Sequence, residues 1–178
     1  MIHLRQATKA DIDSLREVGC ETYREHFSAI WSPAGMQSFL DQDFSASALS
    51  HSLEATERHV WLIAADSGGK PVGFAKVNWS TPTPITGVLG AELQKIYLLK
   101  SATGHGYGKQ FLQFICEQAQ SRGETLLWLD VLKTNLNARG FYEAFGFNQI
   151  GEIPFKTDLA EIGMVVMGLA LKQRQAVK

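Results

Sequence analysis

The spacing of apolar and polar positions changes several times along the chain, and each change marks an element. Ile2 to Ala7 alternates apolar and polar, the period of two that a half-buried strand needs. Thr8-Lys9-Ala10-Asp11 reads as a capping box with aspartate in place of glutamate. A helix is therefore expected to about Arg24, with Ile12, Leu15, Val18 and Thr22 on one side. Ser32-Pro33 offers an N-cap and a first-turn proline for a second helix to about Asp41, and Ser45 caps a third through Ala55. Strand spacing returns at Val60–Ala65. Asp66-Ser67-Gly68-Gly69-Lys70-Pro71 then turns the chain back into a second strand, Val72–Trp79. Thr81-Pro82-Thr83-Pro84-Ile85-Thr86-Gly87 is expected to be a surface loop.

The second half begins with a strand from about Gly90 to Leu99. A glycine-rich turn follows, then a helix from near Gly108 to about Arg122 with Phe111, Leu112, Ile115 and Ala119 as its buried stripe and Gly123 as its stop. Thr125–Val131 is nearly all apolar, as in a strand covered on both faces, so this strand–helix–strand unit predicts a parallel pair with a right-handed crossover. Leu136–Phe145 places Ala138, Phe141, Tyr142 and Phe145 at helical spacing, and Gly146 ends that helix. Strands at about Phe147–Phe155 and Ile162–Leu171 complete the pattern. With no repeat, linker or low-complexity tract, the reading is one α+β domain over residues 1–178.

Composition narrows the function classes. The chain has 178 residues and a net charge of −1 with no basic run, which argues against nucleic acid as a partner. It has no apolar stretch of about 18 residues and no basic-then-apolar leader, so no membrane partner and a cytoplasmic location are expected. Of the two cysteines, Cys116 sits beside Phe111, Leu112 and Ile115, the setting of a buried free thiol in a reducing compartment. No Cys/His cluster has metal-ligand spacing, so no metal is expected.

The candidate chemistry centres on Thr103-Gly104-His105-Gly106-Tyr107-Gly108-Lys109, where a strand becomes a helix. Such a turn leaves several N–H groups unpaired at the positive end of the helix dipole, and glycine lets a ligand approach them without a Cβ in the way. The expected guest is a phosphate or pyrophosphate. A dinucleotide fingerprint would need G-x-G-x-x-G, with an acid such as Asp130 ending the next strand, but here the third glycine is one residue early. A P-loop would need G-x-x-x-x-G-K-S/T, whereas Gly108-Lys109 is followed by Gln110. A purely structural tight turn stays open on spacing alone.

From Glu92 to Phe147, about a third of the chain, the residues resemble the acetyl-CoA-binding core of the GNAT superfamily of N-acetyltransferases. The family's pyrophosphate loop reads Q/R-x-x-G-x-G/A, and here it is Thr103 to Gly108. Its downstream signature N-x-x-A-x-x-F-Y-x-x-x-G-F is matched in full from Asn135, Ala138 and Phe141-Tyr142 to Gly146-Phe147. Thr103 departs from the usual glutamine or arginine, which removes one side-chain contact to the cofactor. Glu92–Leu99, the helix at Ser32-Pro33, Met36 and Phe39-Leu40, and the end from Lys156 to Met167 are similar to the bacterial spermine/spermidine (PaiA-type) branch.

The resemblance implies a mixed, mostly antiparallel sheet of about seven strands flanked by helices, with a central parallel β-α-β unit. It implies acetyl-CoA as co-substrate, a small amine (a polyamine favoured) as acceptor, and a homodimer among the expected assemblies. Main-chain groups of Ile96, Tyr97 and Leu98 would pair with the pantetheine arm. Thr103, Gly104, His105, Gly106, Tyr107, Gly108 and Lys109 would hold the pyrophosphate, and Asn135 and Tyr142 would also meet the cofactor. Glu92 would take the amine's proton and Tyr142 would protonate the leaving thiolate. Each has a plainer alternative: a solvated strand carboxylate for Glu92, a packed core tyrosine for Tyr142, a helix N-cap for Asn135. Tyr23, Phe27 and Trp31, with Glu21, Glu25 or Asp41, would line an aromatic and acidic acceptor pocket. A non-catalytic acyl-CoA-binding module on the same fold, or transfer to a peptide amine or an aminoglycoside, stays open.

Overall fold

The helix after the glycine turn shows how the sheet is covered. In the computed structural model, which describes residues 1–173, this helix spans Tyr107–Ser121. Phe111, Leu112, Ile115 and Ala119 are all fully buried, and burying each large apolar side chain of that stripe stabilises the fold by about 1.5–3 kcal/mol. Gly123, at φ 81°, ends the segment.

Seven strands form one sheet. In chain order the elements are β1 (His3–Gln6), α1 (Ile12–Phe27), α2 (Pro33–Phe44), α3 (Ala46–Glu54), β2 (His59–Ala65), β3 (Pro71–Pro82), β4 (Leu89–Leu98), α4 (Tyr107–Ser121), β5 (Leu126–Leu132), α5 (Leu136–Phe145), β6 (Asn148–Ile153) and β7 (Met164–Ala170). The spatial order is β1-β2-β3-β4-β5-β7-β6. All neighbours are antiparallel except β4 and β5, which run parallel as their intervening helix requires.

Two apolar clusters pack on opposite faces of the sheet. One joins α4 to Leu93, Ala91, Leu127 and Leu129. The other joins Leu15 and Val18 of α1, Leu40 and Phe44 of α2 and Leu49 of α3 to Trp61, Ile63 and Phe74. The result is three layers. Among the described residues, no helix is long and apolar enough to cross a membrane.

The caps form as read. Ser32 Oγ accepts from Gly35 N at 3.0 Å and Ser45 Oγ from Ala48 N at 3.2 Å. The box at Thr8 closes a short 3₁₀ turn ahead of α1, where Thr8 N donates to Asp11 Oδ2 at 2.8 Å and Arg5 pairs with Asp11 at 2.7 Å. The Pro-rich segment departs from a simple surface loop. β3 runs on through Pro82, and Thr83 is buried because its hydroxyl bonds that of Thr86 at 2.6 Å while its N–H donates to Val88 O. These internal bonds satisfy backbone groups that a free loop would give to water.

Candidate active site

β4 and β5 are hydrogen-bonded only at their beginning. Ala91 pairs with Leu127 and Glu92 with Trp128, and no later pair joins the strands. β5 continues alongside β7 and β4 alongside β3. The two parallel strands therefore splay, and among the described residues one edge of β4 from about residue 94 onward has no strand partner. A cleft of about 610 Å³ opens there, lined by β4, β5, α1, α2 and α5.

The glycine turn stands at one end of this opening. Gly104 and Gly106 adopt φ 78° and 75°, and a Cβ on either would meet no atom within 4 Å. Their glycine character therefore serves the backbone conformation. Gly108 serves packing instead, because a Cβ there would lie 3.2 Å from Phe141 Cζ. Gln110 is the first residue of α4 to find a helical acceptor, Gly106 O at 3.2 Å. The N–H groups before it are the free donors of a helix start, so the turn fits a pyrophosphate.

The remaining residues of the motif divide by role. Thr103 lines the cleft, but its hydroxyl donates to Lys100 O at 2.7 Å and so is spent within its own turn. His105 and Lys109 are exposed, and His105 stacks on Tyr107 with centroids 5.4 Å apart. Asn135 caps α5 through Oδ1, which accepts from Ala138 N at 3.1 Å, and it also borders the cleft. Ile96 and Leu98 turn their side chains into the cluster beneath α4, whereas Tyr97 faces α1. The Leu98 carbonyl bonds His26 Nε2 at 2.8 Å, and Lys100 N donates to Glu25 at 2.8 Å. The last turns of α1 thus fasten the end of β4 beside the glycine turn.

Tyr142 and Glu92 both border the cleft. Burial pushes the Tyr142 phenol well above its usual range, and neighbouring Tyr97 and Asp130 add to the shift. The group is therefore neutral at working pH and able to donate a proton. Glu92 accepts from Asn78 Nδ2 at 2.8 Å.

Three charged groups that the pattern alone did not place also converge here. Asp130 lies two residues beyond Trp128, the register partner of Glu92, so both carboxylates share one face. Asp130 keeps a path to solvent yet is crowded by the cleft walls. That crowding raises its pKa, the charge of Glu92 raises it further, and Lys95 opposes the shift. Lys95 is buried because of a bulge: Lys76 pairs with Lys95 but Val77 pairs with Leu93, leaving Gln94 as the extra residue. The extra residue reverses the alternation and turns Lys95 toward α1 and α2. Asp43 of α2 meets it at 2.6 Å.

The acid that α2 contributes to the cleft is thus Asp43, not Asp41, whose carboxylate accepts from Gln37 on the surface at 2.8 Å. Asp43 follows Phe39 by four, the spacing of one helix face, and α2 extends past Asp41 to reach it. Glu21 is exposed and Glu25 holds Lys100 N, so neither supplies the acidic wall. Tyr23, Phe27 and Trp31 do line the cleft, with the Tyr23 ring 5.1 Å from Phe27 and 5.0 Å from Tyr97. A lone aspartate in the otherwise apolar run Leu126–Leu132 was the sequence signal for Asp130.

Comparison with known proteins agrees with this geometry. Over 96% of this chain and 99% of the other, the structure superimposes with TM-score 0.73 and 20% identity on a PaiA N-acetyltransferase from Thermoplasma acidophilum crystallised with coenzyme A. An uncharacterized N-acetyltransferase of Lactobacillus delbrueckii subsp. lactis is 26% identical over 155 residues, 86% of this chain and 88% of that one. An L-methionine sulfoximine/L-methionine sulfone acetyltransferase of Pseudomonas aeruginosa is 28% identical over 94 residues, 52% of this chain and 53% of that one. A model of the acetyltransferase (GNAT) family matches residues 16–147. With more than half its length under that match, the chain belongs to the GNAT family of acetyl-CoA-dependent N-acetyltransferases.

Proposed function

We propose that this protein moves the acetyl group of acetyl-CoA to a primary amine of a small molecule, by direct attack within a ternary complex. The observation that carries the reading is one cleft between the splayed strands. Phosphate donors at the glycine turn, an unpaired β4 edge, a neutral phenol and two adjacent carboxylates all open onto it.

Each group answers one demand of the chemistry. An alkylamine arrives protonated, with a pKa near ~10.4 if it resembles lysine. Glu92 and Asp130 form the place where that proton leaves, and the raised pKa of Asp130 brings it nearer the range in which a base works well. The free N–H groups of the β4 edge lie where a thioester carbonyl running along that edge would develop charge. Tyr142 supplies a proton to the departing thiolate, whose conjugate acid resembles a cysteine near pKa ~8.5. The turn from Thr103 to Lys109 and Asn135 hold the nucleotide and pantetheine portions.

A small acceptor is supported by how the far end of the cleft is tied. Thr157 Oγ1 donates to Ile30 O at 2.5 Å, and Ser32 N–H and Oγ both bond Asp158. These bonds tie the chain just past Ile153–Phe155 to the stretch Ile30–Ser32, and residues of both stretches border the acceptor end, so a bridge of chain stands where a protein surface would have to approach. The P. aeruginosa relative, named for amino-acid analogues, points the same way. Polyamines, which the sequence resemblance favours, are one such class of amine. The test is a thiol-release assay with acetyl-CoA across polyamines, simple alkylamines, amino acids, peptides and aminoglycosides. Turnover with a small amine and none with peptides is expected. Tight CoA binding without transfer to any amine would make the protein a binding module.

A further inference from the structure

The acceptor end contains a cation cage that the chain already fills. Lys95 is 7% exposed. Its Nζ lies 2.6 Å from Asp43 Oδ2 and 3.3 Å from Tyr23 Oη. It also stands 5.6 Å from the ring centroid of Tyr23, 5.5 Å from that of Phe39 and 5.8 Å from that of Phe44. A carboxylate facing several aromatic rings is the arrangement that recognises an alkylammonium ligand. Here the β4 bulge delivers the protein's own ammonium into it.

We propose that Lys95 is a specificity-determining residue: by occupying this cage from within, it restricts the acceptor to an amine with one positive charge and an apolar body, and bars a second ammonium. Charge counting on this face agrees. Asp43, Glu92 and Asp130 stand against Lys95 and its register partner Lys76, leaving one negative charge uncompensated when all are ionised. One incoming ammonium balances it. A diamine or polyamine would bring a second cation toward Lys95, whose ion-pair partner Asp43 is already engaged, and like charges at short range repel. The apolar part of such an acceptor would lie against Tyr23, Phe27 and Trp31, which border the same cleft.

The inference narrows the proposed transfer to a small amine, rests on it, and sets aside the polyamines that the sequence resemblance favours. The experiment compares n-pentylamine with cadaverine, a pair differing by one ammonium, in wild type, Lys95→Ala and Lys95→Ala/Asp43→Asn. Wild type should prefer the monoamine in kcat/KM by about tenfold or more, the size of one unfavourable buried-charge contact. Lys95→Ala empties the cage and frees Asp43, and should move the ratio toward cadaverine by a similar factor with KM for acetyl-CoA unchanged. Adding Asp43→Asn should remove that gain. Wild type using cadaverine or spermidine as well as the monoamine, or a ratio that Lys95→Ala does not move, overturns the proposal. If no amine is acetylated by any form, the transferase reading fails, and the cage is then read by calorimetry with n-butylammonium. Tighter n-butylammonium binding by Lys95→Ala than by wild type, lost again when Asp43→Asn is added, upholds the cage, and no difference refutes it. Should Lys95→Ala fail to fold, the wild-type preference decides.

Discussion

Replacing Gly106 with alanine separates two uses of glycine in one chain. Gly106 sits at φ 75° in the turn before α4, and Gly123 sits at φ 81° in the turn after it. An added Cβ meets nothing within 4 Å at either position, so neither substitution produces a steric clash with the protein. What remains is the left-handed backbone penalty for an L-residue, about 1–2 kcal/mol. For a domain of this size each 1 kcal/mol moves Tm by roughly 2–4 °C, so both variants should lose about 2–8 °C. Their ligand behaviour should differ. At Gly106 the chain either relaxes out of its conformation and swings the N–H donors away, or keeps it and presents a methyl group to the approaching pyrophosphate. Either outcome should weaken CoA binding by at least about tenfold, equivalent to 1.4 kcal/mol. Gly123→Ala should leave CoA affinity unchanged. Differential scanning fluorimetry gives the first quantity and calorimetric titration with CoA the second. Equal CoA affinity in the two variants would show that Gly106 serves only the turn, and the anion-cradle argument would be wrong.

Further expectations follow from the cleft and the fold. Tyr142→Phe keeps the ring packing against Phe147, with centroids now 5.6 Å apart; it should lower kcat by about 10²–10⁴-fold while CoA affinity holds, and wild-type turnover would remove the phenol from proton transfer. The charge of Glu92 raises the pKa of Asp130, so Glu92→Gln should move the acid limb of the kcat/KM–pH profile to lower pH. Lys95→Met, which removes an opposing charge, should move it to higher pH, and a limb indifferent to both would show that Asp130 does not titrate in the rate. Asp11 is held to a pKa of about 2 chiefly by its hydrogen bond from Arg5, against an ordinary 3.8. Its contribution to stability is therefore present above 3.8 and is lost as pH falls toward 2. Asp11→Asn should flatten Tm against pH in that window, and an unchanged acid slope would refute the pairing.

What could be read from sequence followed from how local each determinant is. The α4 stripe, the Ser32 and Ser45 caps and the α5 motif depend on residues within a turn or two of one another, and they fold as their spacing dictates. The glycine-turn end of the cleft, where the cofactor is proposed to bind, is built from such segments, so its geometry was legible. The acceptor end is not. Lys95 reaches its cage through a one-residue bulge that is set by pairing with β3, and strict alternation puts it on the other face. Asp43 came into view only because α2 runs further than its cap and periodicity required. Asp130 gains its significance from Glu92 across a strand pair that is itself hydrogen-bonded at just two registers. The bonds between Ser32 and Asp158 close over 126 residues of sequence, where no local pattern carries information.

The central claim is that the turn from Gly104 to Lys109 holds the pyrophosphate of a CoA thioester whose acyl end runs along β4 toward Tyr142. Its most direct measurement is a pair of calorimetric titrations of the wild-type chain, one with acetyl-CoA and one with acetyl-pantetheine, which lacks the nucleotide and pyrophosphate. The account predicts saturable binding of acetyl-CoA and affinity for acetyl-pantetheine weaker by about a hundredfold or more, since two charge-assisted contacts at the turn together amount to about 3 kcal/mol. Equal affinity for the two, or no heat with acetyl-CoA at millimolar concentration, would contradict it.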